Sequence, residues 1–340
     1  MKVAIAAMAQ LLMAASAASA ATPSPTYKLT SSVPLGAPDR WDYVVYDAPT
    51  DRVYVAHGDR LAVVDARAAT LVGEVQGITG GTHGSAVSLS TGQGFTDDGR
   101  NGKAIAFDLK TLKIIREIPA DVDADAIAAD PRTGHLFIME GDPAAITVID
   151  PKTDTAVATI KAGEKLEYAV GDGVGSIYAA GEGNGDVLKI DARTNRIVKR
   201  WPLSGCTSPH GIAVDGRAHR AFVGCVNSVM MVIDTNSGAT VASLPIGRGS
   251  DAVAFDPVRR RAFSSNGRDG TITAYQQVSP DRYVPLASIP TTISARTMSV
   301  DPKSGRLFVA GADTDPNPAP QGRPIVRPGS LRLMIFEPQG

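Results

Sequence analysis

The chain has 340 residues, 43% of them hydrophobic, and a formal net charge of −1. Such a balanced charge argues against nucleic-acid or anionic-lipid partners, which require a basic stripe, so we expect no nucleic-acid partner. The 34 glycines and 23 prolines are spread along the chain and predict frequent turns.

The first twenty residues, MKVAIAAMAQLLMAASAASA, have the pattern of a secretory signal. A single lysine precedes an apolar run that ends in small residues, which predicts cleavage before Ala21. No other stretch is apolar enough to cross a bilayer. We therefore expect a periplasmic or secreted protein without membrane insertion, and a monomer.

One sequence pattern recurs after this segment: a short apolar run, a turn and an aromatic residue, as in IAADPRTGHLF and VAFDPVRRRAF. Successive turn positions are 41 to 45 residues apart, at Asp47, Ser88, Asp130, Asp172, Asp215, Asp256 and Asp301. The aromatics follow seven residues later, or six in the fourth repeat, at Tyr54, Phe95, Phe137, Tyr178, Phe222, Phe263 and Phe308. Two more Val- and Ile-rich segments follow most pairs, for example ITVID and TAVATI, and indicate two further strands.

Four strands in a repeat of about forty residues are typical of a propeller blade. The sequence therefore predicts an all-β fold, a seven-bladed β-propeller of four-stranded antiparallel blades, as a single domain over residues 21–340. The blades are expected to start near residues 41, 82, 123, 166, 208, 250 and 295. The seventh repeat ends at its third strand, and YKLTSSVPLG at 27–36 is predicted to supply the fourth and close the ring.

Units such as VYVAHGDRLAVVDARAATLVGEV and ITVIDPKTDTAVATI resemble the YVTN-type repeat of the YncE-like propeller family. The resemblance covers the chain after the first twenty residues. It implies an exported seven-bladed propeller. Some relatives bind other macromolecules, and lactonases and lyases share this architecture, so the resemblance implies no single activity.

A column of polar side chains lies five residues before each turn position, where the first strand of each blade would begin beside the central channel. Its members are Asp42, His83, Asp125, Glu167, His210, Asp251 and Arg296. With neutral histidines these side chains sum to −3, four carboxylates against one guanidinium. Repulsion among them must be relieved by protonation, by charged histidines or by a cation.

Two interpretations of this column remain open. It is either a solvated lining of the channel mouth or a site for a ligand or a divalent metal ion. For a metal, His83, His210, Asp125 and Glu167 are the predicted ligands, with Zn or Mn as the ion and Cu as a less favoured choice. Both histidines can bind one ion only if it lies centrally, because they are three blades apart.

Two functions follow from this candidate site. The first is an exported binding or scaffold propeller whose partner is a small-molecule ligand or a periplasmic protein. The second is a metal-assisted lyase or lactonase, with His83 or His210 as base and Arg296 holding a substrate carboxylate. A deep pocket under the loop at 312–330 would favour the enzyme, and a flat face would favour binding.

The two cysteines, Cys206 and Cys225, are expected near each other in blade 5. In an exported protein they most simply form a disulfide. The alternative is that both join His210 as ligands of Cu(I) or Zn.

A second column of residues ends the second strand of each blade on the same face as the ring. It consists of His57, Asp98, Glu140, Gly181, Cys225, Asn266 and Gly311. These residues are either loop-starting residues or an outer shell of the site. The proline-rich segment 312–330 in blade 7 is either a surface insertion or a lid over the channel.

Overall fold

The computed structural model describes residues 27–315 and 324–339, and these residues form a seven-bladed propeller. The first strands of neighbouring blades contact each other all the way round the ring. The predicted all-β fold of seven antiparallel blades is therefore confirmed. The proposed signal at 1–20 lies outside the described residues.

Strand β1 (Tyr27–Pro34) comes first in the chain and belongs to the last blade. The strands of blades 1 to 3 are β2 (Val44–Asp47), β3 (Arg52–His57), β4 (Arg60–Asp65) and β5 (Thr70–Gln76); β6 (Ser85–Ser88), β7 (Gln93–Asp98), β8 (Lys103–Asp108) and β9 (Ile114–Pro119); β10 (Ala124–Ala129), β11 (Leu136–Glu140), β12 (Ala145–Asp150) and β13 (Thr155–Lys161).

The strands of blades 4 to 7 are β14 (Leu166–Gly171), β15 (Ser176–Gly181), β16 (Asp186–Asp191) and β17 (Arg196–Pro202); β18 (Pro209–Asp215), β19 (Arg220–Cys225), β20 (Val229–Asp234) and β21 (Thr240–Pro245); β22 (Ser250–Asp256), β23 (Arg261–Asn266), β24 (Thr271–Ser279), β25 (Arg282–Pro285) and β26 (Ile289–Pro290); β27 (Thr297–Val300), β28 (Leu307–Gly311) and β29 (Arg332–Pro338). In blade 6 the outer position is shared by two short strands, β25 and β26, which both pair with β24.

One 3₁₀ turn, Gly99–Asn101, is the helical segment of the described residues. No helix in these residues is long and apolar enough to cross a membrane.

The repeated turn aspartates and aromatics explain why the blades are alike. In blade 6, for example, the Asp256 carboxylate accepts the backbone N–H groups of Val258 and Arg259, which fixes the turn after the first strand. All seven repeat aromatics are at most 2% exposed and lie between blades. Phe222 of blade 5, for example, stacks on Phe255 of blade 6 at a ring-centroid distance of 4.9 Å.

The ring is closed by pairing the two ends of the described chain. β1 runs antiparallel to β29, with Tyr27 opposite Pro338 and Val33 opposite Leu333. Val33 is 3% exposed and packs in a core cluster with Leu333 and residues of blade 1. The predicted closure by the N-terminal strand is therefore confirmed.

A disulfide joins Cys206, in the loop entering blade 5, to Cys225 at the end of β19, with a Cα–Cα distance of 5.4 Å. This confirms the predicted pair. The alternative, a metal centre of both cysteines and His210, is wrong because each sulfur is bonded to the other.

We expect Val33→Asp to lower the free energy of unfolding by more than about 3 kcal/mol, because it places a carboxylate in the core at the closing strand. Ser32→Asp is the matched control, since the neighbouring Ser32 side chain is exposed and should tolerate the same change within about 0.5 kcal/mol. Urea unfolding of both variants measures the difference. Equal stabilities would contradict a closing role for this strand.

Candidate functional site

The predicted ring residues lie at the start of the innermost strands. Four of them fall within β10, β14, β18 and β22, and the other three lie one or two residues before β2, β6 and β27. In all four strands the pairing register shifts at the ring residue, as between Pro209 and Ile212 in β18. Such β-bulges leave a residue unpaired and redirect its side chain. Because of this bulge Pro209, and not His210, lies opposite Cys225.

Five of the seven side chains form a continuous chain of contacts around the mouth. His210 Nδ1 lies 3.0 Å from Asp251 Oδ1 and 3.8 Å from Glu167 Oε1. Arg296 donates to the other Asp251 oxygen at 2.9 Å and approaches Asp42 at 3.6 Å. Asp251 is thus held between an imidazole and a guanidinium, a charge-assisted arrangement.

His83 and Asp125 are outside this chain of contacts. His83 Nδ1 is 2.8 Å from Asp97 Oδ2, and the other Asp97 oxygen accepts the backbone N–H groups of His83 and Gly84. No hydrogen bond of the Asp125 side chain is found within the described part of the chain.

Three important neighbours of the ring were missed from the sequence. Asp97, fully buried, is the one charged member of a column otherwise made of Ala, Gly, Ser and Met, and this contrast could have found it. Glu182 Oε1 lies 3.6 Å from His210 Nε2. Tyr43 donates its hydroxyl to Glu167 Oε1 at 3.1 Å.

Two tyrosines from blades 1 and 4 meet in the channel directly beneath the ring. The rings of Tyr43 and Tyr168 are 4.4 Å apart, and Tyr43 is 3% exposed. Both pack against the alanines of β10 and neighbouring apolar residues. The ring therefore lies directly above a packed tyrosine pair.

Burial raises the pKa values of three of the four ring carboxyls. Desolvation raises the pKa of Asp42 to about 6, of Glu167 to about 7 and of Asp125 to about 8. For Asp251, desolvation is outweighed by the hydrogen bond from His210 and the charge of Arg296, and the pKa is lowered.

The pKa values of the two ring histidines are raised, which favours the charged imidazolium form. Burial disfavours the imidazolium, yet the hydrogen bond to Asp97 raises the pKa of His83 to about 9. The hydrogen bond to Asp251 and the charge of Glu167 likewise raise the pKa of His210 to about 9. Near pH 7 both histidines are charged and Asp125 is protonated, so the ring does not carry the −3 of the neutral-histidine sum.

One group among the described residues has the geometry of a metal site. Donor atoms of Glu167, His210 and Asp251 all lie within 4.8 Å of one another. The predicted ligand set shares Glu167 and His210 with this group. His83 and Asp125 are not part of it, and Asp251 is an additional member.

The second column ends the second strands as predicted, at His57, Asp98, Glu140, Gly181, Cys225, Asn266 and Gly311. Its polar members hold neighbouring segments: Glu140 Oε1 accepts the N–H of Asp121 in the loop before β10 at 2.8 Å, and Asn266 donates to Thr273 of β24 at 2.9 Å. His57 Nε2 lies 2.6 Å from the Pro38 carbonyl. These side chains therefore brace the face on which the ring lies.

A pocket of about 580 Å³ opens beside the ring, at His210, Asp251 and Arg296. Pro324 and Val326, from the described part of the 312–330 segment, form part of its wall. The Asp39 carboxylate anchors this segment by accepting the N–H groups of residues 329–331. Residues 316–323 of the predicted insertion lie outside the described residues.

We expect Asp125→Asn to stabilise the protein at high pH only. The raised pKa of Asp125 means that the folded state keeps a proton that the unfolded state loses near pH 4, so stability falls as pH rises from 4 towards 8. Asparagine removes this fall, which should give roughly 1–3 kcal/mol at pH 8.5 and almost nothing at pH 4.

Urea unfolding across pH 4 to 9 measures this difference. Asp142→Asn is the control, because it removes the same charge at an exposed position of the same blade. A stabilisation of Asp125→Asn that does not change with pH would contradict the assignment.

The propeller and its site can be compared with known proteins. No protein-family model matches this sequence. It is 25% identical over 208 residues to the uncharacterized protein YncE of Salmonella typhimurium and 24% identical to YncE of Salmonella typhi. Each alignment covers 59% of this chain and 58% of the relative, so the chain matches less than two thirds of the length of these relatives.

Similarity of fold extends to a solved structure of Kuenenia stuttgartiensis hydrazine synthase. The TM-score is 0.69 with 16% identical residues, over 79% of this chain and 92% of that chain. At this identity the likeness concerns the fold alone. The protein is thus a seven-bladed β-propeller whose sequence is similar to that of YncE.

Proposed function

We propose that the protein is an exported binding propeller that holds a divalent metal ion at the mouth of its channel. The observation that carries the proposal is the convergence of Glu167, His210 and Asp251, with donor atoms within 4.8 Å of one another. They come from three consecutive blades, so one face of an ion would meet the protein and the opposite face would stay open for a ligand.

The chemistry of the three donors suits Zn or Mn, since one imidazole and two carboxylates are ligands that both ions accept. Two neighbours orient the carboxylates as outer groups orient ligands in metal sites. Tyr43 donates to Glu167, and Arg296 donates to Asp251.

Protons compete with a metal ion at this site. The pKa of His210 is raised to about 9, so the imidazole must lose a proton before it can bind the ion. The positive charge of the metal would then replace that of the imidazolium between the carboxylates. Binding should strengthen as pH rises.

Export is supported by two features. The disulfide between Cys206 and Cys225 is of the kind that persists in oxidising compartments. The first twenty residues have the composition of a secretory signal. We therefore propose that the protein is located in the periplasm, which accounts for both features.

We expect the natively purified protein to bind about one equivalent of Zn or Mn, and His210→Asn to lose it. Elemental analysis and calorimetric titration with each ion measure this. Affinity should rise at least about tenfold per pH unit between 6 and 8, because one proton is displaced from His210 and, towards pH 6, another from Glu167. His219→Asn is the matched control, since this exposed histidine of the same blade lies in the turn between β18 and β19, at the opposite end of β18 from His210.

His83→Asn separates the two ligand sets. Unchanged binding supports the three-residue group, and loss of binding supports the set that includes His83. Absence of binding to the wild-type chain, or normal binding to His210→Asn, would overturn the metal site.

A metal-assisted lyase or lactonase is the second candidate, favoured by the pocket of about 580 Å³ beside the same group. Its size is that of a small-molecule site. Arg296 lines both the ring and the pocket, and a substrate carboxylate would bind it by replacing its contacts with Asp251 and the Trp41 carbonyl. His83, with its pKa raised to about 9, is set to donate a proton near pH 7.

We expect an enzyme of this kind to hydrolyse γ- or δ-lactones, or to eliminate across a bond α,β to a carboxylate, only when metal is bound. Acid release and the absorbance of the new double bond are the two readouts. His210→Asn should reduce turnover at least about a hundredfold and His219→Asn should not. If the metal-loaded wild-type protein catalyses neither lactone hydrolysis nor elimination, the enzyme proposal fails and the binding function alone remains.

A further inference from the structure

The pocket beside the ring has a charge composition that the metal group does not explain. It lies over blades 5 to 7 and is lined by four arginines but only two carboxylates. The arginines are Arg40, Arg248, Arg268 and Arg296, and the carboxylates are Asp39 and Asp251. Positive charge therefore dominates a cavity in a protein whose net charge is −1.

Both carboxylates are already engaged with the protein. Asp39 accepts three backbone N–H groups of the blade 7 segment, at 2.6 to 3.3 Å. Asp251 is held between His210 and Arg296. Neither carboxylate forms an ion pair with Arg40 or Arg268.

Two of the four arginines are left without an acidic partner in the described part of the chain. Arg248 pairs with Asp269 at 2.8 Å, and Arg296 pairs with Asp251. Arg40 and Arg268 form no ion pair within residues 27–315 and 324–339.

The loops of blade 6 hold Arg248 and Arg268 next to each other. The backbone N–H of Arg268 donates to the carbonyl of Arg248 at 3.1 Å. Gly249 has a left-handed φ of +74°, and a Cβ there would stand 2.7 Å from Arg268 Cγ. The glycine thus lets one loop lie directly against the stem of the arginine on the other.

Part of the wall is apolar. Trp41, Val226, Pro324 and Val326 line the pocket beside polar residues such as Asn227, and the Arg296 guanidinium lies over the Trp41 ring at 5.9 Å. A free phosphate would leave this apolar part of the wall without a partner. A carboxylate on an apolar body matches both parts, because guanidinium groups bind carboxylates in a bidentate manner and the apolar wall receives the body.

We propose that this pocket binds a small organic acid, with its carboxylate at Arg40 and Arg268 and its apolar body against Trp41 and Val326. The inference goes beyond the metal site and does not depend on it, because the two arginines are not among the donors of the metal group. An acid with a second polar group at its far end would also reach the ring.

Calorimetric titration of benzoate, cinnamate and 2-naphthoate tests the proposal in chelator-treated and in Zn-loaded protein. We expect saturable binding of at least one of these acids in both forms. Arg40→Gln/Arg268→Gln should weaken it by roughly a hundredfold, about tenfold for each guanidinium removed. Arg268→Lys, which keeps the charge but not the fork, should weaken it less.

Arg100→Gln is the matched control, an exposed arginine on the blade 2 loop that does not line the pocket. Benzyl alcohol and inorganic phosphate are the ligand controls. The proposal is overturned if no acid binds in either form, if the double variant binds as tightly as the wild type, or if benzyl alcohol or phosphate binds as well as the acids. Loss of acid binding with retained Zn binding, or the reverse, distinguishes failure of this pocket from failure of the metal site.

Discussion

The pairing of β1 with β29 is the constraint on which the rest of the molecule depends. The blades are separate sheets that pack face to face, so an unclosed row of seven would leave one face of the first blade and one face of the last blade uncovered. Joining the chain ends in one sheet fixes the circumference, and a fixed circumference sets how close the seven innermost strands come to one another. The distances among ring side chains, such as 3.0 Å between His210 and Asp251, are consequences of that closure.

The ring shows how a closed fold manages charges that it forces together. Water is partly excluded at the mouth, so the protein distributes protons among the ring members. Asp251 keeps its charge between His210 and Arg296, while Asp125 has no such partner within the described residues and has a pKa raised to about 8. Each blade contributes a different residue to the ring, so each ring member has different neighbours and the site is asymmetric. A ring of seven identical residues would not have this asymmetry.

Much of the fold could be predicted because each blade repeats the same local physics. Turn aspartates and buried aromatics recur at fixed spacing. The segment that forms β1, with its buried Val33, has the sequence pattern of the fourth strand that blade 7 lacks. The divided outer strand of blade 6 was not anticipated, because Pro280 and Pro285 interrupt the strand pattern there.

The site was predicted less completely, for reasons that are also local. The column identified the residues at the channel mouth, but bulges in the innermost strands decide which of their atoms come into contact. A register shift has no sequence signature of its own. The partner of His83, Asp97, lies on a different strand. The contact of Tyr43 with Tyr168 joins residues 125 positions apart and depends on the curvature of the whole ring.

That tyrosine contact has a consequence for traffic through the molecule. Tyr43 and Tyr168 lie in contact beneath the ring, so they narrow the path between the two faces of the disc. A ligand bound at the ring would therefore leave most easily at the face where the ring lies, and a macromolecule docked on that face would slow its release. The opposite face of the disc is a separate surface, on which another partner could bind without covering the ring.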